Sequence, residues 1–420
     1  MMIRSLFLIF SFSILVSHGQ ITKTRCSTME NRTRLMEKDP GMAQRIEEQN
    51  IQLQNWIQDH GATGKTNTTI TIPVVVHVVY NTAAENISDA QVLSQIDILN
   101  QDFGRQNADT SQTPVPFKAL AANTGIQFCL ASRDVNGNWT TGIVRKQTSI
   151  TQFDIDDKVK SNSDGGDDPW DVTKYFNIWV CNLGLDIAGY AEFPDDYPAP
   201  SNTYGAVIGH INFGNTGTVL YPYDKGRTST HEIGHCFNLY HIWGDDGGAC
   251  SGSDFVDDTP NQADYTLPCA TFPFTDACTT TGNGVIFMDY MDYSDDACMS
   301  MFTQGQATRM LAAINMYYPT LATSDGCGIP SSMNHENKKL NISLYPNPAK
   351  EIVNLVIDTP TFDHVLVQIY NPLAELVWTT VLGGRSATAI DLSNLPPGIY
   401  FVRICTDSVI CTRKITLTGM

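Results

Sequence analysis

Long apolar runs are missing from most of this chain. Beyond the first twenty residues no stretch approaches the roughly 18 apolar residues that a membrane-spanning helix needs, which excludes stable membrane insertion of the mature protein. Positive charge is also scarce: 26 Lys and Arg stand against 44 Asp and Glu, a net charge of -18. That balance repels phosphate backbones and anionic lipid, so nucleic acid is excluded as a partner, while cations are favoured. The segment from 244 to 288 lacks any helical or strand periodicity and holds little apolar sequence, so it requires covalent or metal staples to stay ordered.

The early apolar run is LFLIFSFSILV at 6–16, after Arg4 and before the small residues Ser17 and Gly19. It reads as a signal peptide over 1–19, cut before Gln20. A membrane anchor is the alternative, but the run is too short to span hydrocarbon. In an exported chain the 11 cysteines are disulfide candidates, and four crowd together as Cys250, Cys269, Cys278 and Cys298. The odd total leaves at least one thiol unpaired within the chain.

With 420 residues, 42% of them hydrophobic, the chain is long enough for two or three domains with real cores. Residues 20–65 are polar, with a weak helical stripe of Ile46, Ile51, Leu53 and Trp56, and read as a pro-segment or a plain N-terminal extension. The β-branched run TITIPVVVHVVY at 69–80 opens a domain spanning 66–330. Ser88 is a candidate N-cap for a helix with the stripe Val92, Ile96, Leu99 and Phe103. IQFCLA at 126–131, YFNIWVCNL at 175–183 and the shorter GYAEFP at 189–194 read as further strands, giving an α/β sandwich of twisted sheet and helices with an irregular C-terminal part. After a polar linker, 338–420 carries short strands at regular spacing and reads as a small all-β sandwich.

HEIGHCFNLYH at 231–241 carries the chemistry. Helical residues four apart share a face, so His231 and His235 can bind one ion. Zinc accepts imidazole nitrogen, and a catalytic site keeps a position open for water, which Glu232 can reach as general base. His241 can return to the metal only if the helix stops and the chain turns back. Asn238 stands where that turn is needed, and Asn tolerates the left-handed conformation better than other non-glycine residues. A binding protein on an inactive protease fold would lack a ligand or Glu232, and neither is missing.

HExxHxx(Gly/Asn)xxH is the metzincin zinc motif. Together with VDDTPNQ (256–262), MDYMDYSDDACMSMFTQGQATRM (288–310), IPVVVHVVY, DPWDVTKYFNIWV and GYAEFP, it resembles the ulilysin-like pappalysin family over roughly residues 70–320. The resemblance implies a zinc endopeptidase in which Met291 lies beneath the metal in the Met-turn and Tyr293 steadies the tetrahedral intermediate. Asp289 stands where the family carries Asn. The aspartates 245, 246, 254, 257 and 258 are hard oxygen donors, and the family's structural calcium points to Asp254 and Thr259 as its ligands. The resemblance and the need for cross-links together give the disulfides Cys250–Cys278 and Cys269–Cys298. In metzincins the chain after the Met-turn walls the pocket for the residue following the scissile bond. Asp295 or Asp296 at its base then implies cleavage before arginine or, less well, lysine. Cys26 offers a thiolate that can fill the open zinc position and hold a precursor latent; a disulfide or an inert thiol is the other reading.

SLYPNPAKEIVNLVID (343–358), LPPGIYFVRI (395–404) and RKITL (413–417) resemble the type A sorting domain of type IX secretion. That implies a Gram-negative source, export through the periplasm and the type IX machinery, and usual removal of this domain, with an adhesive β-sandwich as the other reading. The endopeptidase then meets its protein or peptide substrates outside the cell. Cys405 and Cys411 flank its last turn and can pair.

Overall fold

The computed structural model describes residues 24–60, 69–327, 341–358, 364–371, 376–383, 387–405 and 410–418. The signal-peptide reading over 1–19 and the linker therefore lie outside the described residues, as do the side chains of Cys405 and Cys411.

The first described elements are β1 (Thr24–Cys26), α1 (Thr28–Lys38) and α2 (Met42–His60). Next come β2 (Ile70–Tyr80), α3 (Asp89–Phe103), β3 (Ile126–Leu130), β4 (Ile143–Gln147), β5 (Phe176–Cys181), β6 (Ile187–Ala191) and β7 (Gly205–Gly209). Helices α4 (Arg227–Cys236) and α5 (Gln304–Tyr317) follow. The strands form one seven-stranded sheet in the order β1-β6-β7-β5-β2-β3, with β4 also paired to β2. All its pairings are parallel except β6 with β7. Strand β2 lies inside the sheet, between β5 on one side and β3 and β4 on the other, and its valines are buried on both faces, as parallel sheets require.

The expected cap and stripe of α3 are present. Ser88 accepts a hydrogen bond from the Gln91 N–H, and Val92, Ile96, Leu99 and Phe103 pack in the core beside Ile233 and Phe237 of the α4 region. Helix α4 lies across β6 and β7, which seats its histidines over the sheet edge. The stretch from 244 to 288 holds no helix or strand and is pinned by disulfides Cys250–Cys278 and Cys269–Cys298. A third, Cys129–Cys327, ties β3 to the end of the domain.

Two N-terminal features depart from the sequence reading. Strand β1 has no signature in the sequence, because three residues carry no periodicity and its ladder partner, β6, lies far along the chain. Of the helical stripe, Leu53 packs on Ala312 and Ala313 of α5, whereas Ile51 is 55% exposed.

The remaining strands are β8 (Asn341–Tyr345), β9 (Ile352–Asp358), β10 (His364–Tyr370), β11 (Leu376–Gly383), β12 (Ala387–Asp391), β13 (Gly398–Cys405) and β14 (Ile410–Leu417). They form sheets β12-β9-β8 and β11-β10-β13-β14. Both contribute to one apolar core that includes Val353, Leu355, Val367, Val402 and Ile415. Among the described residues no helix is long and apolar enough to cross a membrane.

Candidate active site

Helix α4 ends where the motif requires. Phe237 closes its last turn and Asn238 follows at φ 68°, turning the chain back so that His241 faces His231 and His235. His235 Nε2 lies 3.1 Å from both His231 Nε2 and His241 Nε2. The opposite nitrogens each face an oxygen. His231 Nδ1 is 2.7 Å from the Tyr290 carbonyl, His235 Nδ1 is 2.7 Å from the Leu239 carbonyl, and His241 Nδ1 is 2.8 Å from Asp245 Oδ1. Those acceptors fix the Nδ1–H tautomers, so three Nε2 lone pairs converge with no hydrogen between them. Burial first, then neighbouring imidazoles, pushes His231 and His235 well below the usual histidine range. A buried set of imidazoles with converging Nε2 atoms is the donor set zinc takes, and it fits the metal.

Glu232 is buried, and its carboxyl is pushed up to about 8 by burial, against hydrogen bonds from Thr28 and Cys26. Its Oε2 accepts from Thr28 Oγ1 at 2.7 Å and from Cys26 Sγ at 3.4 Å. Cys26 Sγ lies with the three histidine nitrogens in one cluster spanning no more than 4.8 Å. Burial and the adjacent Glu232 hold that thiol well above its ordinary value. Neither Thr28 nor Arg25 carries a signal in the sequence beyond its nearness to Cys26, since each finds its partner only across the fold.

Tyr293 packs against His231 and His241, and its hydroxyl donates to the Cys26 carbonyl at 3.2 Å. Met291 lies under α4: a Cβ built on Gly234 would meet its sulfur at 2.5 Å. The turn around it is held by Asp289 Oδ1, which accepts from the Met291 N–H at 2.8 Å and from Gln306 Nε2 at 2.9 Å. Burial pushes the Asp289 carboxyl well above the usual carboxylate range, against the hydrogen bonds from Gln306 and the Met291 N–H.

Asp296 is fully buried and meets the Arg25 guanidinium at 2.9 Å; its Oδ2 accepts from the Lys225 and Arg227 N–H groups. Arg25 also donates to the Ser294 carbonyl at 2.8 Å. Asp295 makes no hydrogen bond to Arg25 among the described residues, and Cys269 Sγ lies 3.9 Å from its Oδ2.

The five loop aspartates divide, and Asp257 is exposed. Asp245 orients His241, Asp246 gathers backbone N–H groups of its own loop, and Asp258 accepts from Thr303 and Gly305 at the start of α5. Asp254 is buried and accepts from Thr259 Oγ1 at 2.7 Å.

Residues 159–315 match the family described as pregnancy-associated plasma protein-A, and residues 343–418 match the secretion system C-terminal sorting domain. An extracellular metalloprotease of Arthroderma otae is 32% identical over 260 residues, covering 60% of this chain and 80% of that protein. The chain belongs to this pappalysin family. Mutant Tannerella forsythia promirolysin is 46% identical with a TM-score of 0.67, covering 73% of this chain and 99% of that one. Mature mirolysin of the same organism, in complex with a cleaved peptide, is 52% identical with a TM-score of 0.61, covering 63% of this chain and 99% of that one. The pappalysin-family chain is a metalloendopeptidase with a mixed-sheet metzincin domain followed by a β-rich sorting domain, and it is secreted or held at the cell surface.

Proposed function

We propose that this enzyme is a zinc endopeptidase, made as a latent precursor, that cuts peptides on the amino side of arginine and, less well, lysine. The observation carrying this reading is the convergence of the three Nε2 atoms of His231, His235 and His241, each with its Nδ1 occupied by an oxygen. His231, His235 and His241 would hold zinc, which would supply Lewis-acid chemistry for activating water near neutral pH and for polarising the scissile carbonyl. Glu232 takes the proton of the attacking water and passes it to the leaving amine. The Tyr293 hydroxyl, which here donates to the Cys26 carbonyl, donates to the oxyanion that develops on the scissile carbonyl. Met291, packed beneath Gly234, sets the floor on which the ligands rest.

Asp296 forms the base of the pocket for the residue after the scissile bond. Arg25 supports this, because a buried carboxylate is costly unless a cation pairs with it, and Arg25 is that cation in the precursor. Asp296 rather than Asp295 receives it. Cys26 holds the precursor latent by standing at the open zinc position, and Thr28 assists by occupying Glu232. The promirolysin match covers more of this chain than the mature mirolysin match, as a removable segment over 20–65 requires.

Asp254 and Thr259 are proposed calcium ligands, supported by a buried carboxylate beside a hydroxyl in a loop without regular structure. We assign 1–19 as signal peptide, 66–330 as catalytic domain and 338–420 as the domain read by the type IX machinery, with passage through the periplasm of a Gram-negative source. Metal analysis of the purified enzyme, N-terminal sequencing of its active form and a peptide-library profile test these points together. Less than one zinc per chain, or leucine preferred after the cut, overturns the zinc site or the acidic pocket respectively.

A further inference from the structure

Arg25 and Cys26 are not the only residues of the N-terminal segment seated in the cleft. Arg32, on α1, is 2% exposed and pairs with two carboxylates beyond the C-terminal end of β6. Its Nη2 lies 2.5 Å from Asp195 Oδ1 and its Nε lies 2.8 Å from Asp196 Oδ1. Its Nη1 donates to the Tyr240 hydroxyl at 2.8 Å. The guanidinium carbon stands 4.1 Å from the centroid of the Phe193 ring. Phe193 in turn packs against the ring of His235, with centroids 5.1 Å apart. An acidic pair with an aromatic floor and a phenol hydroxyl thus encloses one guanidinium, a single ring away from the histidine cluster.

Both carboxylates belong to the catalytic domain, and the cation belongs to the segment that leaves on activation. Asp195 is 1% exposed and its Oδ2 has no hydrogen-bond partner among the described residues, so the site keeps an unused acceptor. Strand β6 shows which way the site lies. Thr24 pairs with Ile187 and Cys26 with Gly189, so the Arg25 pocket lies toward the start of β6 and the Arg32 site past its end. A substrate whose arginine enters the Asp296 pocket must run its preceding residues the other way along that edge, toward Phe193, Asp195 and Asp196.

We propose that Asp195 and Asp196, with Phe193 and Tyr240, form a second cation subsite of the active enzyme, which takes an arginine or lysine side chain upstream of the scissile bond. The preferred substrates then carry two basic residues, one after the cut and one before it. At roughly 3.3 Å per extended residue, the distance from Gly189 to Phe193 puts the upstream residue about two to four positions before the cut. The inference rests on the reading of 20–65 as a removable segment. Arg32 stands in for the substrate side chain as Arg25 does at Asp296, and an arginine fork suits such a carboxylate pair better than an ammonium does.

The test uses the processed enzyme and a parent peptide that it cuts, with alanine at each of the four upstream positions. Arginine is then substituted at each position in turn. Arginine at one of them should raise kcat/KM by about tenfold, the size expected of a charge-assisted pair, and glutamate there should lower it. Asp195→Asn is the informative variant, because Asp195 bonds only Arg32 among the described residues whereas Asp196 also accepts from the Phe193 N–H. It should abolish the arginine gain and leave cleavage of the alanine parent unchanged. No gain at any upstream position, or a gain that survives Asp195→Asn combined with Asp196→Asn, overturns the subsite and leaves the pair as a seat for the segment alone. The scan runs on whichever parent is cut, so an error about Asp296 changes the parent peptide and leaves the outcome for Asp195 unaffected.

Discussion

Arg25 reaches Asp296 at 2.9 Å with both side chains wholly buried, across 271 residues of sequence. The pair joins the N-terminal segment to the stretch of chain that follows Met291. Removing one member of a buried pair leaves an uncompensated charge, typically about 3–5 kcal/mol. Arg25→Ala should therefore loosen the segment and raise activity of the unprocessed form. Asp296→Asn should abolish arginine preference in the processed enzyme while zinc content stays unchanged. A peptide-library profile identical to wild type in Asp296→Asn would remove that residue from the pocket.

Glu232→Ala should keep the fold and the metal but lose about 10²–10⁴-fold in kcat or more, because only the proton acceptor is deleted. His241→Ala should instead lower zinc content. Metal analysis beside a turnover assay separates the two, and unchanged zinc stoichiometry in His241→Ala would take that residue out of the ligand set.

Cys26→Ala alone should release the unprocessed form only in part. Thr28 Oγ1 still donates to Glu232 Oε2 at 2.7 Å in that variant, and it also accepts from the Ala191 N–H at 2.8 Å. Cys26→Ala with Thr28→Val should release it further. Both variants are assayed with a segment cleavage site blocked by mutation, so that removal of the segment does not mask the result. Full latency in the double variant would exclude the thiol and hydroxyl as the lock.

Replacing Cys269 and Cys298 by alanine should destabilise the domain by about 2–4 kcal/mol, through freedom returned to the unfolded chain. Urea unfolding measures it. Because Cys298 ends the short helical turn Asp296–Cys298, the same change should also weaken discrimination for arginine. A loss of stability with specificity intact would show that Asp296 is held by its backbone donors from Lys225 and Arg227 alone.

Gly234→Ala should cost about 1–3 kcal/mol by overpacking, since the new methyl meets the Met291 sulfur. Thermal unfolding of that variant alone and combined with Met291→Ala checks the contact: partial rescue by the second change is the expected result.

The histidine cluster was legible in the sequence because it is built by short-range geometry. His231 and His235 are one helical turn apart, and Asn238 supplies the single left-handed residue that returns His241 to them. The buried strand β2, the Ser88 cap and the regular short strands after 341 were legible for the same reason: each is a local pattern of side chains and backbone. What occupies the cleft was decided by tertiary structure. Strand β1 exists only against the edge of β6, and Arg25, Thr28 and Arg32 acquire their partners Asp296, Glu232 and Asp195 from positions 163 to 271 residues away. No periodicity records such pairs, because a buried ion pair depends on which surfaces the fold brings together. The sequence by itself therefore determined the chemistry of the metal site, and only the folded chain decided which charges line the cleft around it.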